Sequence, residues 1–210
     1  ATIREIVSVI PETSVSFVKT ATQYGIPKSK AFKMKEVFGF DTRRVALPEE
    51  TAADFACHGL SDMVEQGLDV STIGAIIFVG QTPDYLMPGS SYLVHGSFGF
   101  SQDTLCIDVT QGCNGFIYGL LLAYQLVPSL GGRDVLLING DTLSHRVSDM
   151  DFKIQPLIGD ATTLALITQD TAGEGKFLIR SDGERASWLT IPAGGTRTPK
   201  SAETSILSQS

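Results

Sequence analysis

The run Ile73-Gly-Ala-Ile-Ile-Phe-Val79 has no polar side chain, and it limits the possible folds more than any other stretch. A strand without a polar face suits a sheet covered on both sides, not one with a solvated face. Asp134-Val-Leu-Leu-Ile-Asn-Gly140 repeats the pattern, and Thr104-Leu-Cys-Ile-Asp-Val109 is a shorter, alternating version. Helical patterns separate these runs. One enters from Pro48-Glu-Glu-Thr51, passes through Ala53, Phe55, Ala56, Leu60, Met63 and Val64, and stops at Gly67. A second spans Ser90 to Phe98 before Gly99, and a third spans Phe116 to Leu126 with Gly131 and Gly132 beyond it. Buried strands alternating with helices imply a layered α/β fold with a mostly parallel central sheet.

The flanks are less regular. Ile3 to Ile10 reads as a strand ended by Pro11, and Thr13 or Ser14 can cap a short helix reaching Tyr24. Within it, Ser16-Phe-Val-Lys19 has serine–lysine nucleophile spacing, which an ordinary amphipathic helix explains more simply. Ala31 to Phe40 mixes basic and aromatic residues, as in a solvated helix with an apolar back or a segment facing a ligand. Ala161 to Ile167 and Phe177 to Asp182 read as an antiparallel pair. From Gly194 the texture turns small and polar, so residues 1–196 are expected to form the domain and 197–210 a polar tail or interrupted loop.

Composition excludes several classes. The formal charge of −7 gives no chain-wide attraction to nucleic acid or an anionic membrane, so contact with an acidic carrier would need a local basic patch. Three cysteines, Cys57, Cys106 and Cys113, have no framework spacing and point to a reducing compartment, with the cytoplasm as default. No apolar run is long enough to span a bilayer, and the first residues lack a signal-peptide design. Cys57 and His58 are adjacent on a helix, which is poor metal geometry, and His95 and His145 stand alone, so no metal site is expected. No dinucleotide or P-loop glycine fingerprint occurs either.

Asp108-Val-Thr-Gln-Gly-Cys113-Asn-Gly-Phe116 lies where a strand hands over to a helix. The positive end of the helix would favour a thiolate at Cys113, and Gly112 and Gly115 would let a substrate approach the sulfur. The plainer alternative is an inert core cysteine.

Several landmarks together resemble the β-ketoacyl-acyl-carrier-protein synthase III family of thiolase-like condensing enzymes. They are Gly39-Phe-Asp-Thr-Arg-Arg-Val-Ala46 with Pro48 to Thr51, Gln81-Thr-Pro-Asp84 with Pro88, the Cys113 motif, Gly159-Asp160, and Ser181-Asp182-Gly183. The likeness spans approximately residues 1–196 and is to the family's N-terminal half. It implies that Cys113 takes an acyl group from a thioester, acyl-CoA or acyl-carrier protein. The carbanion from decarboxylation of a malonyl thioester would then attack that acyl-enzyme. The resemblance implies no cofactor beyond these thioester substrates, acyl carrier protein as a partner, and a homodimer pairing the strand from about Thr104 to Val109 across a twofold axis.

Three departures accompany the likeness. The family's catalytic histidine and asparagine belong to a second half that this chain lacks, and His58, His95 and His145 do not occur in that context. Lys33 and Phe152 stand where well-known members carry the tryptophan and arginine that grip the coenzyme A adenine. Ala161-Thr162-Thr163 also replaces a stretch usually richer in glycine. A fragment of a synthase is the favoured reading; a non-catalytic partner subunit that kept the fold for assembly is the alternative. In either case the Cys113 helix is expected to be central and largely buried, with Cys113 at its first turn. The face usually covered by the second half is expected to be exposed unless an assembly covers it.

Overall fold

The computed structural model describes residues 1–148, 151, 154–170, 175–188, 190–199 and 201. In chain order the main elements are β1 (Thr2–Val9), β2 (Ser14–Ser16), α1 (Phe17–Gln23), α2 (Lys28–Phe38), β3 (Thr42–Arg44), α3 (Ala52–Glu65) and β4 (Ile73–Gly80). They continue with α4 (Ser90–Ser97), β5 (Leu105–Thr110), α5 (Gly115–Ser129), β6 (Asp134–Asp141) and β7 (Ala161–Thr168). The expected α/β layering is present. Among the described residues one sheet has five strands in the order β1-β7-β6-β4-β5. Strands β4, β5 and β6 are mutually parallel, and β7 runs antiparallel to both β6 and β1. Four of the five strands therefore point the same way.

The central strand behaves as its composition requires. Ile73 to Val79 are all buried, because α3 and α4 cover one face of the sheet and α5 covers the other. Helix α3 begins with a reciprocal cap in which Thr51 Oγ1 accepts from the Asp54 amide and the Asp54 carboxylate accepts from the Thr51 amide. It ends at Gly67, whose φ of 100° suits glycine, with the Leu68 amide donating back to the Met63 carbonyl at 2.9 Å. A separate small core of Phe17, Ala21 and Ala31 joins α1 to α2.

Three expectations change. Helix α5 is not largely buried: Gly115, Gly119, Ala123 and Val127 face the sheet, while Phe116, Ile117 and Leu122 are 39%, 43% and 37% exposed. No further layer covers that side among the described residues. Residues 177–182 form no strand, and β7 pairs instead with β6 and with β1 from the other end of the chain. Both edges of β7 are thereby filled. Finally, Ser16 is a cap, since its Oγ accepts from the Lys19 amide at 3.4 Å, and the short strand β2 precedes α1. Of the proposed tail, residues 200 and 202–210 lie outside the described residues.

Candidate active site

Strand direction gathers one set of loops at one edge of the sheet. The carboxyl ends of β1, β4, β5 and β6 all lie there, with Val9 opposite Thr162, Gly80 opposite Thr110, and Asp141 opposite Ala161 at the start of β7. Open α/β sheets bind ligands at this edge, where loops diverge and helix N-termini converge. The segments after these ends are Gln81-Thr82, Gln111 to Asn114, Thr142 to Arg146, and residues 10–51 with α1 and α2.

Cys113 occupies a tight turn rather than the first turn of α5. The Gly115 amide donates to the Gly112 carbonyl at 2.8 Å, which makes Cys113 and Asn114 the corner residues. Asn114 is the N-cap, with φ −95° and ψ 3°, and its carbonyl accepts from the Ile117 amide at 3.1 Å. Cys113 therefore sits just before the helix, exposed, with Gln111, Gly112 and Asn114 exposed around it. Among the described residues the Cys113 and Asn114 amides have no acceptor. They lie where N–H donors could meet an oxyanion formed beside the sulfur.

The other two thiols sit elsewhere. Cys106 is half-buried against α4, and burial, reinforced by nearby Asp108, pushes its pKa up. Cys57 on α3 is half-buried too, and burial is again the main cause of its raised pKa. Both are held toward the neutral thiol.

The two flanking glycines differ in role. A Cβ on Gly112 would sit at ordinary contact distance, 3.6 Å, from the Gln81 side chain. A Cβ on Gly115 would stand 2.5 Å from Val79 Cγ1 and 3.2 Å from Gln111 Cβ. Gly115 is thus small so that α5 can rest on β4, not to admit a substrate. Gly119 repeats the device against Leu137 and Val79.

Two carboxylates whose clamping role the sequence does not reveal hold the edge together. Asp141 Oδ1 accepts from the Gln81 amide at 2.7 Å, the Thr82 amide at 2.9 Å and Thr82 Oγ1 at 2.8 Å. Asp160, 3% exposed, accepts from the Ala46 amide at 2.8 Å and the Ser144 amide at 2.9 Å, and also from the Ser144 hydroxyl. Arg43 Nη1 donates to the Ile158 carbonyl at 2.7 Å. These bonds tie the loops after β3, β4 and β6 to the segment entering β7. In the sequence Asp160 stands out only as part of the Gly159-Asp160 landmark, and Asp141 only as the residue that follows an apolar strand run.

The histidines do not join Cys113. His58 is exposed on α3; His95 bonds the Ser101 carbonyl at 3.1 Å and stacks on Phe100; His145 is exposed in the turn after β6. No group of three potential metal ligands occurs among the described residues. Lys33 is exposed on α2, while Phe152 lies outside the described residues.

Comparison with known proteins places the fold and this segment beside one family. The family model for 3-oxoacyl-[acyl-carrier-protein (ACP)] synthase III matches residues 107–183, from β5 through the Cys113 turn and beyond β7. The chain is related to the 3-oxoacyl-acyl-carrier-protein synthase III family. A β-ketoacyl-acyl-carrier-protein synthase III of Solibacter usitatus is 34% identical over 172 residues, covering 79% of this chain and 52% of that protein. One from Caldanaerobacter subterraneus is 32% identical over 169 residues, with 79% and 51% covered. A crystal structure of a 3-oxoacyl-(acyl-carrier-protein) synthase III superposes with a TM-score of 0.87 at 32% identity, covering 95% of this chain and 60% of that one. The corresponding Burkholderia xenovorans synthase gives 0.83 at 29%, covering 96% and 57%. The chain spans about half the length of the curated relatives it matches. Within this family relation, the structure shows the thiolase-like α/β architecture.

Proposed function

We propose that this chain carries the nucleophile of a 3-oxoacyl-acyl-carrier-protein synthase III-like acyltransferase, with Cys113 as the attacking group. The single observation that carries the reading is the exposed Cys113 turn at the carboxyl edge of the sheet, inside the segment matched by the family model. The Cys113 thiolate adds to the thioester carbonyl of an acyl donor, and the oxyanion that forms lies beside backbone amides of the turn. Collapse expels the donor thiolate and leaves an acyl-enzyme. Decarboxylation of a malonyl thioester then supplies a carbanion, whose attack forms the carbon–carbon bond and returns the Cys113 thiolate. No cofactor is invoked. The partners are acyl-CoA or acyl carrier protein.

The compartment proposed is the cytoplasm, supported by three free cysteines. No described helix is long and apolar enough to cross a membrane. A homodimer through the β5 edge is part of the reading.

Incubation with an acyl thioester followed by peptide mass spectrometry tests the chemistry. The adduct is expected on Cys113 and absent from a Cys113→Ala variant. Acylation of Cys57 or Cys106 alone rejects the assignment. The exposed apolar face of α5 suits a second reading, a partner subunit retained for assembly. That reading predicts that Cys113→Ala leaves the activity of the assembled complex intact.

A further inference from the structure

The sheet face under α5 changes character at its carboxyl edge. One row across that face is wholly apolar, with Ile77, Leu137, Ala165 and Ile6 side by side in register. The next row on the same face, nearer the carboxyl ends of β4 and β6, reads Val79, Asn139, Thr163 and Ser8. Ser8 Oγ and Thr163 Oγ1 satisfy each other at 3.0 Å. Asn139 differs. Its Oδ1 is buried without a hydrogen-bond partner, and its side chain makes no hydrogen bond among the described residues.

A second carboxamide stands beside the Cys113 turn. The Gln81 Nε2 and Oε1 both lie 3.6 Å from where a Cβ on Gly112 would stand, and Cys113 is the next residue in the chain. The Gln81 backbone is pinned by its 2.7 Å bond to Asp141, yet its half-buried side chain makes no hydrogen bond among the described residues. Val79 links the two carboxamides. It pairs with Asn139 across the sheet, and Gly115 at the start of α5 rests on it. Neighbouring strands lie about 4.8 Å apart, so Asn139 stands one strand spacing from the residue that seats this helix.

A plain alkyl chain laid over these groups would cut them off from water and give them no partner in return. A ligand with a hydrogen-bonding group would not. A carboxamide both donates and accepts, so it can meet a hydroxyl or a carbonyl oxygen. Neither carboxamide carries charge, and the Asp141 carboxylate held by the Gln81 amide disfavours a second anion. The chemistry therefore favours a neutral oxygen.

We propose that Gln81 and Asn139 form a polar subsite that selects an acyl group with a hydroxyl or oxo oxygen on its β-carbon over the alkyl chain of the same length. The proposal rests on the acyl-transfer reading above and names the substrate class of that site. As the bond from Cys113 Sγ to the acyl carbon forms and the donor leaves as a thiolate, Gln81 holds the β-oxygen beside Gly112. Asn139 keeps the adjoining wall polar.

Internal competition tests this. Each enantiomer of 3-hydroxybutyryl-coenzyme A competes in turn, at equal concentration, with butyryl-coenzyme A, and peptide mass spectrometry reads the ratio of the two adducts on Cys113. The hydroxyacyl adduct is expected to lead about tenfold for at least one enantiomer. The ratio is expected to fall toward one in Gln81→Leu and in Asn139→Ala. A wild-type ratio of one or less for both enantiomers overturns the inference, whatever the variants do. So does a preference that survives both substitutions. Slower acylation by both donors at an unchanged ratio also overturns it, because the carboxamides would then serve the arm common to the two donors. Absence of any adduct on Cys113 from either donor counts instead against the acyl-transfer reading.

Discussion

At the scale of single residues, Cys113 differs from its two companions in exposure more than in neighbours. It stands on a turn in open solvent, whereas Cys57 and Cys106 pack beside α4 with burial holding them as neutral thiols. A thiol whose pKa is raised carries less thiolate at any given pH below it, and thiolate is the alkylating species. Near pH 8, iodoacetamide is therefore expected to label Cys113 first. Labelling of Cys57 and Cys106 should lag and accelerate as pH rises past the ordinary thiol range. Peptide mass spectrometry against time and pH reads this directly, and simultaneous labelling of all three would contradict it. The motif made Cys113 legible in the sequence, because a strand pattern, a glycine and a helix pattern meet there. Asp141 and Asp160 were not legible as clamps. Asp141 binds amides about 60 positions away, and Asp160 binds the Ala46 amide from 114 positions away, separations that no local pattern encodes.

Elements show what periodicity reads and what it misses. Strand β4 and helices α3, α4 and α5 were readable because burial on one or both faces leaves an apolar pattern. The pairing of β7 was not, since its second neighbour is β1, more than 150 residues earlier in the chain, and hydropathy cannot rank that partner against a nearby one. Gly115 was expected to leave room for a substrate; with Gly119, Ala123 and Val127 it instead forms the contact between α5 and the sheet. Gly115→Ala tests that role. The added Cβ would press on Val79, a β-branched side chain held at 3% exposure in the middle of the sheet. The expected cost is about 1–3 kcal/mol of stability, measured as a lower urea midpoint, despite the gain in helix propensity that alanine brings. An unchanged midpoint would mean that α5 can slide away from β4 without loss.

At the scale of the molecule, the β5 edge and the loop beside it are two of the surfaces left uncovered among the described residues. Strand β5 pairs with β4 along one side and, among the described residues, with nothing along the other. Among the described residues β5 is therefore an edge strand of the sheet. Leu105 is 40% exposed on that strand, and Tyr85, Leu86 and Met87 stand out at 60%, 102% and 86% in the loop leading to α4. That loop and β5 are joined, since the Asp84 carboxylate accepts from Ser90 and the Asp108 carboxylate accepts from the Ser91 amide. An open strand beside exposed apolar side chains is an aggregation hazard unless something pairs with it. A second copy of the chain, related by a twofold axis, would close the β5 edge of both copies at once, because the same strand serves both partners. Light scattering at micromolar concentration is expected to give the mass of a dimer. Leu105→Lys places a charge on the free edge without entering the core, and it is expected to shift the mass toward a monomer of unchanged helix and strand content. A wild-type monomer at that concentration would reject pairing through β5. A dimer indifferent to Leu105→Lys would move the interface away from that strand.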